Sequence, residues 1–189
     1  MINIKQVLPR IDGAMLDNIV DFATYSLIPS YFVLVSPIFT SPWNVICCCG
    51  IILASAYQFT QSDAKTPDHF FKGFPSYWNI VVFYLFYWQT TPTTNTIVII
   101  LCTVLSFVPI KYLYPSRMEH LSHNPLYRQL MTAATIIWGA TTFLLILTYP
   151  SKNTWLDAIS ISYVILYFCI SLYRTIVPLD HNTPSPIQR

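Results

Sequence analysis

Residues 22–62 read FATYSLIPSYFVLVSPIFTSPWNVICCCGIILASAYQFTQS, with no Asp, Glu, Lys, Arg or His between Asp21 and Asp63. The only interruption is Ser36-Pro37-Ile38-Phe39-Thr40-Ser41-Pro42-Trp43, whose Ser and Pro residues mark a turn. At about 20 apolar residues per crossing, each side of that turn is long enough to span a bilayer. The stretch predicts two helices joined by an uncharged turn. The same pattern recurs between Lys72 and Lys111 around residues 89–95, and again in the last third around residues 149–154. The chain therefore reads as three helical hairpins, with spans expected at 14–36, 43–60, 77–89, 96–114, 129–148 and 155–177. The third is short and starts inside the preceding loop.

Composition agrees with this reading and excludes others. Of 189 residues, 54% are hydrophobic and 10% charged, where a soluble domain carries about 25% charged residues. Only 4 glycines and 16% aromatics rule out collagen-like and low-complexity chains, and 14 prolines among apolar runs suit broken membrane helices. The expected fold is all-α: a polytopic integral membrane helix bundle of about six transmembrane helices, forming one membrane domain over residues 1–189. A net charge of +2 with no basic stripe excludes nucleic acid as a partner. With the N-terminus cytoplasmic, nine of the 10 Lys and Arg residues lie on or near one side and only Lys152 lies opposite. The positive-inside rule then places both termini in the cytoplasm. Tyr77, Trp78, Trp88, Trp43 and Trp155 fall near span ends, as an interfacial aromatic belt requires.

Cys47, Cys48 and Cys49 are consecutive within a span and so point in different directions. With Cys102 and Cys169 in apolar runs, the five cysteines are expected to be reduced, buried packing residues. The four histidines show no zinc-type spacing, and no P-loop, Rossmann glycine pattern or G-x-S-x-G elbow occurs.

Acidic residues inside a span are costly and point to function. Gly13, Asp17 and Asp21 recur every four residues, so one helix face carries a bare backbone position followed by two carboxylates. Such a pair repels unless a cation lies between, and hard divalent ions such as Mg²⁺ or Mn²⁺ take oxygen ligands of this kind. A plainer account is interaction with the positive end of the helix dipole. Asp12 is expected to be a helix cap.

The spacing Gly13-x3-Asp17-x3-Asp21 resembles the second half of the signature of the CDP-alcohol phosphatidyltransferase family, whose first half is D-x2-D-G-x2-A-R on the preceding helix. Residues 7–25, VLPRIDGAMLDNIVDFATY, and 63–79, DAKTPDHFFKGFPSYWN, resemble segments of its bacterial phosphatidylcholine synthases. Residues 109–117 do so more weakly. The likeness covers nearly the whole chain and is similar to the family's C-terminal part. Residues 1–10 contain no acidic residue and no D-x2-D-G-x2-A-R, so two of the family's four metal-binding aspartates are expected to be missing. A misassigned start, a split gene or a degraded copy would each account for that, and the chain alone is expected to be inactive.

The resemblance implies attack of the choline hydroxyl on the β-phosphate of CDP-diacylglycerol, giving phosphatidylcholine and CMP at a bacterial inner (cytoplasmic) membrane. It implies Asp17 as a metal ligand and Asp21 as general base and second metal ligand, with Mn²⁺ or Mg²⁺ as cofactor. Gly13 would let the nucleotide approach the backbone, or would serve helix packing. Lys65, Lys72 and Arg117 are candidates for lipid phosphate, or for anchoring at an anionic leaflet. Tyr25, Tyr77 and Trp78 are candidates for the choline ammonium, or for interfacial anchoring. Asp63 and Asp68 support the site or solvate a loop, the latter being the expectation. The partners are CDP-diacylglycerol, choline, membrane lipid and, as a homodimer, a second copy. The alternatives are a non-catalytic membrane protein of the same fold and a transferase with another alcohol acceptor.

Overall fold

The computed structural model describes residues 12–122 and 124–177. Six helices follow in order: α1 (Gly13–Val35), α2 (Trp43–Thr60), α3 (Trp78–Tyr87), α4 (Pro92–Leu105), α5 (Pro125–Thr148) and α6 (Thr154–Ile176). Helices α1, α2, α5 and α6 are each long and apolar enough to cross a membrane, and α3 and α4 are shorter apolar helices. The chain is a polytopic integral membrane protein built from helices. Side chains such as Leu53, Ile97, Ile136, Leu147 and Ile176 are exposed on the helix surfaces, which an aqueous protein would not tolerate in such continuous apolar faces.

Two compact units are distinguished: residues 12–62 with 74–108, and residues 63–73 with 109–177. In the first, the core gathers Val33, Ile51, Ala54, Trp78 and Ile99, all without solvent exposure. Helices α2 and α4 approach closely at Gly50, where an added Cβ would stand 3.2 Å from Thr103 Oγ1. Trp78 Nε1 donates to Ser55 Oγ at 2.8 Å, so the indole is buried with its one donor satisfied. Buried Asn95 ties two turns together: its Nδ2 donates to Ile38 O at 2.7 Å, and its Oδ1 accepts from the Thr90 hydroxyl.

Helix α1 contains one π turn, Ala23–Leu27, closed by Ile28 N–H to Ala23 O. Its cause is Pro29 in the helix interior: proline has no N–H to offer the carbonyl of Tyr25, and its ring crowds that carbonyl. Widening the preceding turn relieves the clash while the helix continues.

In the second unit, α5 and α6 pair through Thr135 Oγ1 and Tyr163 OH at 2.8 Å and a stack of Trp138 on Tyr163. Two-residue strands β1 (Phe71–Lys72) and β2 (Lys111–Tyr112) run antiparallel, Phe71 opposite Tyr112 and Lys72 opposite Lys111. This corrects the expected fourth span of 96–114. The helix instead begins at Pro92, capped by Thr91, and ends at Leu105. Pro109 accounts for the end, since it cannot donate to the ladder and turns Val108 away from helical angles. The cysteines are all unbridged, and Cys47, Cys48 and Cys102 are buried as expected. Cys49 and Cys169 are exposed instead, on outward faces of α2 and α6.

Candidate functional site

Asp12 caps α1, its Oδ1 accepting from the N–H groups of Ala14 at 3.0 Å and Met15 at 3.2 Å. Two orphan donors of the first turn are thereby satisfied. Gly13 and Asp17 are exposed and Asp21 is half-buried. No atom lies within 4 Å of where a Cβ on Gly13 would stand, so packing among the described residues does not explain this glycine. The row leaves a bare backbone position and the first carboxylate open. Met15, Leu16, Ile19 and Val20 flank it and are also exposed.

Further along α1, the chain turns inward. Phe22 meets Phe59 of α2 edge-on at 5.6 Å, and Tyr25 lies with its ring centroid 6.3 Å from that of Tyr77 at an interplanar angle of 49°. Both tyrosines are half-buried. Trp78, the third aromatic candidate, is enclosed by the core and stands edge-on to Phe74 at 5.0 Å. Its rings offer no open face.

The three cationic candidates belong to the loop cap of the second unit. Lys72 Nζ is 2.6 Å from Asp63 Oδ2 in an exposed pair. The hydrogen bond from Lys72 holds the Asp63 carboxyl below its ordinary pKa. Lys65 Nζ sits 5.1 Å from the ring centroid of Tyr114 and 5.9 Å from that of Phe71, an arrangement that favours a cation without a carboxylate. Arg117 is exposed and lines a small cavity with His69, Phe70, Leu113, Tyr114, Met118 and Leu121.

Asp68 departs from the expectation of a solvated loop residue. It is buried, and Lys111 Nζ donates to its Oδ2 at 2.6 Å. Burial raises its pKa, but hydrogen bonds from Lys111 and Thr66 and the Lys111 charge outweigh that, so the net shift is downward. Sequence reasoning also missed the face of α6 that holds this loop. Tyr167 OH donates to Leu113 O at 3.0 Å, and Ser171 Oγ accepts from Leu113 N–H at 3.3 Å. Thr175 Oγ1 accepts from Lys111 N–H at 2.8 Å, and an Arg174 terminal N–H donates to Leu121 O at 2.7 Å. The spacing of these polar residues within an apolar helix is the signal that could have found them.

Among the described residues no group of three or more His, Cys, Asp or Glu side chains could hold a metal ion. Asp17 and Asp21 nevertheless suit a divalent cation in kind: they are hard oxygen donors one turn apart, beside an open backbone position. Mg²⁺ is commonly held by one or two carboxylates together with water and substrate phosphate.

The helices define a polytopic membrane protein, with an acidic row at the entrance of α1. The chain belongs to the phosphatidylcholine synthases, which are CDP-alcohol phosphatidyltransferase enzymes. It is 45% identical over 179 residues to the phosphatidylcholine synthase of Legionella bozemanae, covering 94% of this chain and 82% of that one. It is 44% identical over 180 residues to that of Legionella pneumophila, covering 95% and 71%. With the phosphatidylcholine synthase of Rhizobium meliloti it shares 33% over 154 residues, covering 82% and 61%. No family model matches the chain. No solved structure matches it significantly.

Proposed function

We propose that this chain transfers the phosphatidyl group of CDP-diacylglycerol to choline, releasing CMP, with its site at the Gly13, Asp17 and Asp21 face of α1. The observation that carries the proposal is that face: an exposed glycine on which nothing packs among the described residues, followed at four-residue steps by an exposed and a half-buried carboxylate. Its presence in a relative of phosphatidylcholine synthases supports reading it as the family's acidic row.

In this mechanism Asp21 accepts the proton of the choline hydroxyl as its oxygen bonds to the lipid-linked phosphorus of the pyrophosphate. The bond from that phosphorus to the bridging oxygen breaks, and CMP departs with the oxygen and its electron pair. Asp17 and Asp21 would together hold Mn²⁺ or Mg²⁺, and the chemistry supplied by a bound ion is neutralisation of pyrophosphate charge. Gly13 leaves room for the nucleotide to lie against the helix start. Within the second unit, the charge of Lys65 is held by rings, whereas the ammonium of Lys72 is engaged by Asp63, so Lys65 is the stronger candidate for a lipid phosphate. Both termini and the acidic row face the cytoplasm of a bacterial inner membrane in this proposal, supported by the distribution of Lys and Arg. Association as a homodimer is testable by cross-linking in native membranes.

The test is incorporation of labelled choline into lipid by membranes of a host that makes no phosphatidylcholine. The chain is supplied as it stands and preceded by a family-type D-x2-D-G-x2-A-R segment, with CDP-diacylglycerol and Mn²⁺. Phosphatidylcholine and stoichiometric CMP are expected from the preceded form. Failure of both forms at matched membrane levels would refute the assignment.

A further inference from the structure

The pair of tyrosines beside the acidic row carries an inference about the acceptor alcohol, resting on the reading of that row as the transferase site. Tyr25 is four residues beyond Asp21, which in a regular α-helix places it one turn along and about 40° around the axis from Asp21. The π turn at Ala23–Leu27 has a smaller rotation per residue, which reduces that angle and stacks Tyr25 more nearly over Asp21. Its partner is also placed by irregular backbone. Tyr77 directly precedes α3 and follows Ser76, a residue held at φ 57°, in the left-handed region that side chains other than glycine seldom adopt. Both irregular segments contain a fully buried serine, Ser26 and Ser76, whose hydroxyl has no hydrogen-bond partner among the described residues. Strain and unsatisfied hydroxyls are tolerated together where a fold fixes a functional position.

The two irregular segments bring the two rings together, with centroids 6.3 Å apart and planes inclined at 49°. A cation seated against both rings reaches both centroids within the roughly 6 Å limit for cation–π attraction. A quaternary ammonium has no N–H to donate and is best held by aromatic faces and a nearby negative charge. Serine or glycerol phosphate would instead require partners for a carboxylate or phosphate.

We infer that Tyr25 and Tyr77 form the seat of the acceptor's quaternary ammonium and set the selectivity for choline over other alcohols, with Asp21 supplying the adjacent negative charge. Trp78 has no part in the seat, because its ring is enclosed and its N–H is held by Ser55.

The experiment measures equilibrium binding of radiolabelled choline to the purified 189-residue chain in lipid nanodiscs, with tetramethylammonium as competitor. Wild type should bind choline and release it to tetramethylammonium. Tyr25→Leu and Tyr77→Leu should each weaken binding about tenfold. Tyr25→Phe and Tyr77→Phe keep the ring and should bind as wild type does, which separates loss of an aromatic face from loss of fold. In the form that turns over, the leucine variants should raise KM for choline with KM for CDP-diacylglycerol unchanged. No choline binding by wild type, leucine variants that bind normally, or phenylalanine variants as weak as leucine ones would each overturn the inference. Aromatic-dependent binding without any phosphatidylcholine formation would instead refute the transferase proposal and leave the ammonium seat standing.

Discussion

Lys111 Nζ lies 2.6 Å from Asp68 Oδ2, joining two loops whose residues are 43 apart in sequence. The carboxylate side chain is 6% exposed and the lysine 21%, so both charges have given up most of their water. A half-buried pair of this kind is costly to break on one side only, because the remaining charge is left without a partner. The adjacent ladder, with Lys72 opposite Lys111 and Phe71 opposite Tyr112, is too short to hold itself. The ion pair and the face of α6 behind it fix the loop that carries Lys65.

Asp68→Asn should therefore destabilise the protein by about 3 kcal/mol, and the apolar double replacement Asp68→Leu with Lys111→Met should cost less than either single change. The folded-state pKa of Asp68 is lowered, so its stabilisation is present above the unfolded carboxyl value of about 3.9 and is lost as pH falls through the lower folded value. Asp63 shifts in the same direction but its pair is exposed and contributes little. Thermal melting in detergent at pH 7 and pH 3 tests both points. Equal melting of Asp68→Asn and wild type at pH 7 would remove the pair from any structural role.

Topology can be read with reporter fusions. Fusions at Lys72 and Arg117 should report cytoplasm, and those near Phe39 and Thr93 the opposite side, because nine of the 10 Lys and Arg residues fall on one side of the expected spans. An inverted pattern would move the Asp17 and Asp21 row to the wrong face for a cytosolic nucleotide.

The hairpins of α1 with α2 and of α5 with α6 were legible because bilayer thickness forces long uncharged runs. The expected middle hairpin is not formed as a packed pair: α3 packs on α1, and α4 packs on α2. The cap on α1 was legible for a local reason: Asp12 reaches only two and three residues ahead. The fourth span was misjudged at its end because apolar Phe107, Val108 and Ile110 continue the run beyond Leu105, while Pro109 decides the outcome through a missing N–H. Asp68 looked like a loop carboxylate because its partner, Lys111, lies 43 residues away. Sequence distance hides such pairs. The acidic row was visible as spacing, but the pairing of Tyr25 with Tyr77 depends on a π turn and a left-handed serine, neither of which periodicity reports.

The polar face of α6 should prove to be the support for the loop. Replacing Ser171 by Ala leaves the Leu113 N–H without its partner in a buried setting, and Thr175→Ala does the same to Lys111 N–H. Each should cost about 1–3 kcal/mol. Hydrogen exchange should show faster loss of protection at Lys111 and Leu113 while the amides of α1 stay unchanged. Unaltered exchange at both loop amides would mean that β1 and β2 hold their positions without α6.

The charge of the α1 row is the last point to test, in the form of the protein that forms phosphatidylcholine. Asn at position 17 or 21 keeps volume and hydrogen-bonding capacity while removing the negative charge that would hold a cation, so insertion should persist and reaction should fail. Asp21→Asn should be the more severe, since proton acceptance from choline and cation binding would vanish together; losses of at least ~100-fold are expected for a general base. Asp12 provides the internal control. Its carboxylate spends its hydrogen bonds on Ala14 and Met15, and Asn caps a helix about as well as Asp, so Asp12→Asn should leave activity nearly intact. The measurement is choline incorporation into lipid at matched membrane expression. Were Asp12→Asn as damaging as Asp21→Asn, or Asp17→Asn nearly fully active, the site would have to lie elsewhere than on the face shared by Gly13, Asp17 and Asp21.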